Sequence, residues 1–396
     1  MTVLAIGDIG VLNGMFHVGD EAMFDAAQRE LRARGLDVVG VSSATEESTA
    51  RYGIPTVPRL GFAGLDRPAA RERAELLVDA ASGVRPLPPD DVAHGVLAAL
   101  DDASGVLHTG GGNLATRWPV HIYERSALTA MAVARGIPVV FSGQTFGPDL
   151  DAEDEDLLRE ALRASALVGV REPTTEALVR GWGIDVRAQV DDASFLDDVR
   201  DSDAVAPPRP PGILVSLSGW YAGRDRDEVE QGVARVIDAA ASVVDGPVVF
   251  HAHFGPVDPS APPAGDGLVH ERVRAAMTAP SIVVPTGDTA SSIALARSAG
   301  LLISSRYHPA VFAVPAGVPT LALAADAYTS IKLGGALGHW GQGTPADLGD
   351  PAAAIARVRE LVRDAAALRA EAAARRPVHR ARATAWWDDV AGVLGG

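Results

Sequence analysis

The sequence predicts an α/β protein of two domains, each built on a parallel β-sheet, and three observations carry that prediction. Short apolar runs bounded by glycine alternate with longer amphipathic ones: "TVLAIG", the helical "GDEAMFDAAQRELRARG", then "DVVGVS", "GVLHTGGG", "ALTAMAVARG" and "IPVVFSG". Unbroken apolar runs of strand length suit strands covered on both faces, and the helices between them supply the crossovers of a parallel sheet. A second set of the same kind begins after residue 210, with "GILVSLS", "EVEQGVARVIDAAASVV", "GPVVFHAHFG", "SIVVPTG", "SSIALARSAG", "LLISS" and "PTLALAAD". Between the sets, "DSDAVAPPRPPG" (Asp201 to Gly212) is rich in proline and charge and has no period, so it reads as a linker.

The expected domains are therefore residues 1–204 and 205–375, followed by a C-terminal helix, 376–396, placed to pack back on the first domain. The segment "AAAIARVRELVRDAAALRAEAAARR" has helical spacing and should end before Pro377, which has no N–H to continue it. A final short helix would then hold Trp386 and Trp387.

Composition narrows the function. The chain has 396 residues, 47% hydrophobic and 22% charged, enough for a sizeable core. With 35 basic against 51 acidic residues the net charge is −16, which disfavours nucleic acid and anionic membrane as partners. The absence of cysteine excludes disulfides, thiolate nucleophiles and thiolate-bound metals. No signal peptide or transmembrane run is legible, and the expected location is the cytoplasm. Nearly every positive charge is arginine; the single lysine, Lys332, stands out for that reason.

Ligands of open α/β sheets bind beyond the carboxyl ends of the strands, so two such domains facing each other would place the site in the cleft between them. In "GDIGVLNGMFHVGDEAMF", Gly19, Asp20 and Glu21 open a helix whose first N–H groups suit an anion, with Asp20 equally able to serve as the N-cap. The glycines fall at 7, 10, 14 and 19, so this is not a dinucleotide fingerprint. In "HTGGGNL", Gly110, Gly111 and Gly112, followed by Asn113, suggest close backbone approach to a ligand at a strand-to-helix turn, whereas His108 reads as packed. In "FSGQTFGP", Gln144 could bond a sugar hydroxyl.

Arg171, after the strand-like "LVGV" and before a helix starting at Pro173, would form an anion pocket, the alternative being a salt bridge with Glu172 or Glu176. "QVDDASFL" places Asp191 and Asp192 near the end of the first domain. In "VVFHAHFG", the period of two puts His251 and His253 on one strand face; no third ligand stands at metal spacing, so they read as cleft-lining or core residues and no metal is expected. Finally, "LLISSRYHPAVFAVPAG" puts Arg306 and His308 on one face at a strand tip, with a helix starting at Pro309. Arginine offers a fork for carboxylate or phosphate and histidine can carry a proton, a pair suited to a small, doubly anionic substrate.

Taken in order, "GDEAM", "GGGNL", "GQTFGP", "VREPTT", "DDASFL", "SSRYHPAVFAVPAGVP" and "DAYTSIK" resemble the motifs of the polysaccharide pyruvyl transferase family. The resemblance implies two Rossmann-like domains facing a central cleft in a GT-B-like arrangement. It also implies transfer of the pyruvyl group of phosphoenolpyruvate, as co-substrate and without a cofactor, onto a sugar of a cell-envelope polysaccharide or its lipid-linked precursor. On it, Arg171, Arg306, Tyr307 and Lys332 correspond to donor-binding positions and His308 to the catalytic acid. Two departures, His17 where the family usually has asparagine and the missing acidic residue after the triple glycine, fall on the acceptor side. The rival readings are a GT-B-like glycosyltransferase with a nucleotide-sugar donor and a non-catalytic carbohydrate-binding homologue. The basic stretch Arg357 to Arg382 reads as a solvated face, with contact to anionic lipid as its alternative. No motif specifies an oligomeric state.

Overall fold

The structure is a computed structural model that describes residues 1–199 and 210–396. Most of the expected linker, and the expected boundary at residues 204 and 205, lie outside the described residues. The chain forms two compact units, and neither is a single stretch of sequence. The first contains Met1–Val11, Met23–Asp192 and Ala381–Gly396; the second contains Leu12–Ala22 and Ala193–Arg380.

In the first unit the main sheet runs Thr56–Pro58, Asp37–Ser42, Thr2–Ile6, Ala103–His108, Val139–Phe146, Leu167–Val170 and Arg187–Ala188, every pair parallel. The short strand Gly111–Leu114 also pairs with Val139–Phe146. Along the first strand, Leu4 and Ile6 join one apolar cluster and Val3 and Ala5 another, all four fully buried. Alternate residues thus meet helices on opposite faces, which is why this strand reads as an unbroken apolar run. Each large aliphatic side chain buried in this way contributes roughly 1.5–3 kcal/mol.

The second unit repeats the plan: Ser281–Val284, Val248–His251, Ile213–Ser216, Leu301–Ser304, Thr320–Ala324 and Ala346–Asp347, again all parallel. In both sheets the first strand lies between the second and the fourth, so the winding reverses there and the strand ends on either side of that point bracket a crevice.

The N-terminal segment in the second unit is held by a ribbon. Asn13 and Gly14 have φ of 53° and 72°, the left-handed pair of a type I′ turn, and Met15 N–H closes it on Leu12 C=O at 2.9 Å. Met15–His17 then pairs antiparallel with Phe254–Pro256. Val18 N–H donates to His253 C=O (3.0 Å) and Val257 N–H to Gly14 C=O (2.9 Å).

The C-terminal helix corrects the sequence reading. Pro351–Leu394 is one helix with Pro377 inside it, not two helices broken before the proline. Proline removes a hydrogen bond there, but packing beyond it outweighs that loss. Trp386 lies against Gly169, where an added Cβ would come within 2.7 Å of the indole, and its N–H donates to Ser142 Oγ at 2.9 Å. Trp387, Val390 and Leu394 are buried in the same apolar cluster as Val3 and Ala5.

Candidate functional site

In the first unit, the crevice between the first and fourth strands opens on Asp8. Its carboxylate lies 3.1 Å from both the Arg59 and Arg125 guanidinium groups and 3.3 Å from His121 Nδ1. It also accepts from the Asn113 amide. Burial alone would raise its pKa, but the two arginines hold the carboxyl well below its ordinary range. Asn113, expected beside a ligand, is therefore fixed by Asp8.

The triple glycine is not a direct strand-to-helix turn. Gly111–Leu114 adds a short strand, and the next helix, Pro119–Ala134, starts only at Pro119. Gln144, expected to bond a sugar hydroxyl, lies within the fully buried strand Val139–Phe146, where its amide N–H donates to Thr109 C=O and its Oε1 has no hydrogen-bond partner among the described residues. His108 is fully buried, stacked on Phe141 with centroids 4.0 Å apart and bonded to Thr129 Oγ1 at 3.0 Å.

Arg171 follows the alternative reading, a salt bridge with Glu172, but buried and extended by Asp191. The guanidinium is 1% exposed: Nη1 donates to Asp191 Oδ2 at 2.7 Å, and Nε to Glu172 Oε1 and Thr145 Oγ1 at 3.0 Å each. The expected anion pocket is occupied by the chain's own carboxylates, because Glu172 follows Arg171 directly and Asp191 lies one strand further along the edge. Asp192 sits beside this network. Ser142 Oγ donates to its Oδ1 at 3.0 Å, and a Cβ on Gly143 would come within 2.6 Å of Oδ2. Oδ2 itself is buried without a hydrogen-bond partner among the described residues. Burial, then the neighbouring Asp191 charge, pushes its pKa up from 3.8 to about 7.

In the second unit the crevice opens on Arg306 and His308, but not along a strand face. The strand ends at Ser304, Arg306 is the N-cap residue, and the helix Tyr307–Ala313 starts two residues earlier than Pro309. Ser304 Oγ makes this turn tight: it donates to Ser216 C=O at 2.9 Å and accepts from Arg306 N–H at 3.0 Å. Arg306 Nε and Nη2 clasp the buried Asp266, with Nε to Oδ2 at 2.9 Å; Nη1 takes no part in that pair. Asp266 also accepts Phe254 N–H at 2.9 Å, which ties the arginine to the ribbon.

Gly19, Asp20 and Glu21 belong to this unit, although they are near the start of the chain. The helix is Val18–Ala33, so all three lie inside its first turn and Asp20 is not its N-cap. A Cβ at Gly19 would fall 1.8 Å from His308 Nδ1 and 2.4 Å from Cγ, so only glycine lets the imidazole occupy this place. His17 stacks on Phe254 at 3.9 Å, with its Nδ1 3.7 Å from Asp20 Oδ2. Lys332 Nζ stands 5.1 Å from the Tyr307 ring centre and 4.7 Å from that of Tyr328, and it donates to the Tyr328 hydroxyl at 3.0 Å.

His251 and His253 are not on one strand face, because the strand ends at His251. His251 Nε2 bonds Ser292 Oγ at 2.9 Å. His253, 4% exposed, has no hydrogen-bond partner at either ring nitrogen among the described residues, and burial holds its pKa well below the ordinary value. Among the described residues no group of three or more His, Asp or Glu side chains is placed to hold a metal ion, and no helix is long and apolar enough to cross a membrane. Asp8, Asp192, Asp266 and His270 were not singled out from sequence as site residues. Asp8 alone had a clear signal, the acid directly after "LAIG".

Two doubly wound parallel sheets define the fold shared by GT-B glycosyltransferases and sugar-nucleotide epimerases. Solved structures similar to this chain include a UDP-GlcNAc 2-epimerase from Methanocaldococcus jannaschii, 11% identical over 91% of this chain and 93% of that one, with a TM-score of 0.58. The UDP-GlcNAc 2-epimerase from Neisseria meningitidis bound to UDP-GlcNAc is 10% identical over 94% of each chain, TM-score 0.57. The glycosyltransferase SnogD from Streptomyces nogalater is 18% identical over 99% of each, TM-score 0.51. At such identities the likeness is one of fold. No curated protein matches the sequence. The family is given by the sequence itself: a family model described as polysaccharide pyruvyl transferase matches residues 17–326, and the chain belongs to that family. It is accordingly a transferase of polysaccharide metabolism.

Two outcomes follow from these contacts. Gly19→Ala should keep the fold, since position 19 is in a helix, but displace the His308 ring by more than an ångström; turnover should fall about 100-fold or more, with the melting temperature measured in parallel. For Asp192 the sign is set by its raised pKa: between pH 3.8 and about 7 the folded chain binds a proton that the unfolded chain has released, so its contribution to stability is lost as pH rises through 7. Asp192→Asn removes that loss, and the melting temperature of the variant relative to the parent should be higher at pH 8.5 than at pH 5.5.

Proposed function

We propose that this protein transfers the pyruvyl group of phosphoenolpyruvate onto two hydroxyls of a sugar in a cell-envelope polysaccharide, or in its lipid-linked precursor, forming a cyclic ketal and releasing phosphate in the cytoplasm. The observation that carries this reading is the Arg306–Tyr307–His308 turn, with the imidazole seated on Gly19 and Lys332 over Tyr307.

The donor carries a carboxylate and a phosphate, and its reacting double bond is that of an enol phosphate. Protonation of its methylene carbon by His308 leaves an oxocarbenium-like centre at C2. One sugar hydroxyl adds to C2 and loses its proton. The C2–O bond to phosphate then breaks, and the second hydroxyl closes the ketal as its proton leaves with phosphate. Over the cycle one hydroxyl proton replaces the one delivered to carbon and the other leaves on phosphate, so no cofactor or metal is needed for balance.

Arg306 is suited to hold the donor in orientation more than to neutralise it. Asp266 already balances its charge, while the Nη1 edge outside that pair remains for a carboxylate or phosphate oxygen. Lys332 supplies the uncompensated cation, kept near by two aromatic rings. Arg171 enters differently, because its guanidinium is already paired with Asp191 and Glu172. Removing it leaves buried acids unpaired, so the first effect of its loss falls on stability. Asp20 and Glu21, in the same unit as His308, are the residues proposed to meet the acceptor.

The fold is shared with nucleotide-sugar enzymes, so thermal-shift titration discriminates the readings. Phosphoenolpyruvate should raise the melting temperature and uridine diphosphate should not; Arg306→Ala should abolish the shift. Incubation with phosphoenolpyruvate and candidate sugars should release phosphate in step with a gain in acceptor mass. Stabilisation by uridine diphosphate alone would favour a nucleotide-sugar glycosyltransferase, and sugar binding with no phosphate release would favour a non-catalytic homologue.

A further inference from the structure

The second unit contains a cavity that none of the steps above uses. Its volume is about 140 Å³, against roughly 10–15 Å³ needed to hold one water, so it admits a group of several heavy atoms. Four prolines, Pro256, Pro259, Pro263 and Pro285, line it together with Val284, and Thr286 adds a hydroxyl. His270 is also in the lining and is itself 1% exposed.

The hydrogen bonding of His270 fixes what it offers. Leu217 N–H donates to Nε2 at 3.0 Å, so Nε2 carries no proton. Burial lowers the pKa of the ring to about 3, which keeps it neutral at working pH and puts its one proton on Nδ1. Nδ1 is buried with no hydrogen-bond partner among the described residues. A buried N–H left unsatisfied costs about 1–3 kcal/mol, and a ligand with a hydrogen-bond acceptor would recover it.

We propose that this cavity binds an uncharged acyl group, its carbonyl oxygen accepting the Nδ1–H of His270 and its alkyl end lying on the prolines. The lining selects this class. No arginine or lysine contributes to it, and Asp258 and Glu271 stand in its wall, so an anion such as phosphate or a carboxylate is repelled. An unsubstituted sugar ring has no aliphatic end to set against the prolines. An acetamido or ester substituent brings an acceptor for the His270 Nδ1–H and an aliphatic end for the proline side of the wall. Asp266 and His270 lie four residues apart on the helix Asp266–Ala276, hence on one face. The residue that clasps Arg306 and the residue that reads the acyl group are therefore successive turns of one rigid element. As a pocket that selects acylated sugars for pyruvyl transfer it rests on the proposed reaction; as a binding site it does not.

The test is saturation-transfer NMR on the full chain with N-acetylglucosamine, glucose and inorganic phosphate as separate probes. The acetyl methyl protons should receive the strongest saturation, with glucose and phosphate showing no binding at this site. His270→Phe should weaken the methyl signal about tenfold, as expected for one lost hydrogen bond to a buried donor. Because His270 also holds Leu217 N–H, a second variant, Ala264→Leu, fills the cavity and leaves that bond intact; it should cause a similar loss. Equal saturation of glucose and N-acetylglucosamine, or an undiminished methyl signal in Ala264→Leu, would overturn the proposal. Phosphate release from phosphoenolpyruvate is scored separately: its absence alongside a strong methyl signal would count against the reaction and leave the pocket standing.

Discussion

The imidazole of His308 occupies the volume that any side chain at position 19 would fill. That exclusion needs a segment from the start of the chain to be built into the second unit, and a short series of local features achieves it. The Asn13–Gly14 turn reverses the chain, the Met15–His17 ribbon pairs with Phe254–Pro256, and Val18 N–H closes on His253 C=O. The helix Val18–Ala33 then begins with Gly19 against the histidine. Asp266 closes the same circuit from the other side, bonding both the ribbon at Phe254 and the guanidinium of Arg306. The placement of the proposed acid and of its neighbouring arginine thus depends on one small β-ribbon.

Both units bury paired charges and histidines, with a different emphasis in each. In the first, charges are buried and paired: Asp8 with Arg59 and Arg125, Arg171 with Asp191 and Glu172. Pairs of this kind are costly to break and specify geometry more than they add stability. In the second, imidazoles are buried in their neutral form, and burial is the leading cause of the lowered pKa of His251, His253 and His270. As pH falls below the ordinary histidine value, the unfolded chain takes up protons that these rings refuse, so this unit loses stability on the acid side. Asp192 has the opposite slope, because its neutral acid form is the one burial favours.

The fold was legible because the strands are covered on both faces, which leaves an unambiguous apolar run for each; "TVLAI" and "GILVS" could be read as buried strands without any tertiary knowledge. The positions of the motifs at strand ends were legible for the same reason. Partners were not. Nothing in "LVGVRE" distinguishes an arginine that meets a ligand from one sealed by Glu172 and Asp191, since the second acid comes from the loop after the strand Arg187–Ala188. Strand periodicity was carried too far at both "RYH" and "HAH", where the strand had already ended and helix or loop geometry decides the facing. The membership of Leu12–Ala22 in the second unit had a local sign, the "NG" turn, but its pairing partner lies some 240 residues away and only the folded chain shows it. Pro377 misled for the reverse reason: its local rule is sound, and Trp386 and Leu394 override it through packing.

The claim on which this account turns is that His308, seated on Gly19, delivers a proton to the donor's methylene carbon. It is tested most directly by running the reaction in deuterated water and comparing the parent protein with His308→Gln. The account predicts one deuterium in the methyl group of the ketal from the parent and no ketal from the variant. A variant that forms the deuterated ketal at the parental rate, or a parent product whose methyl group carries no deuterium, would contradict it.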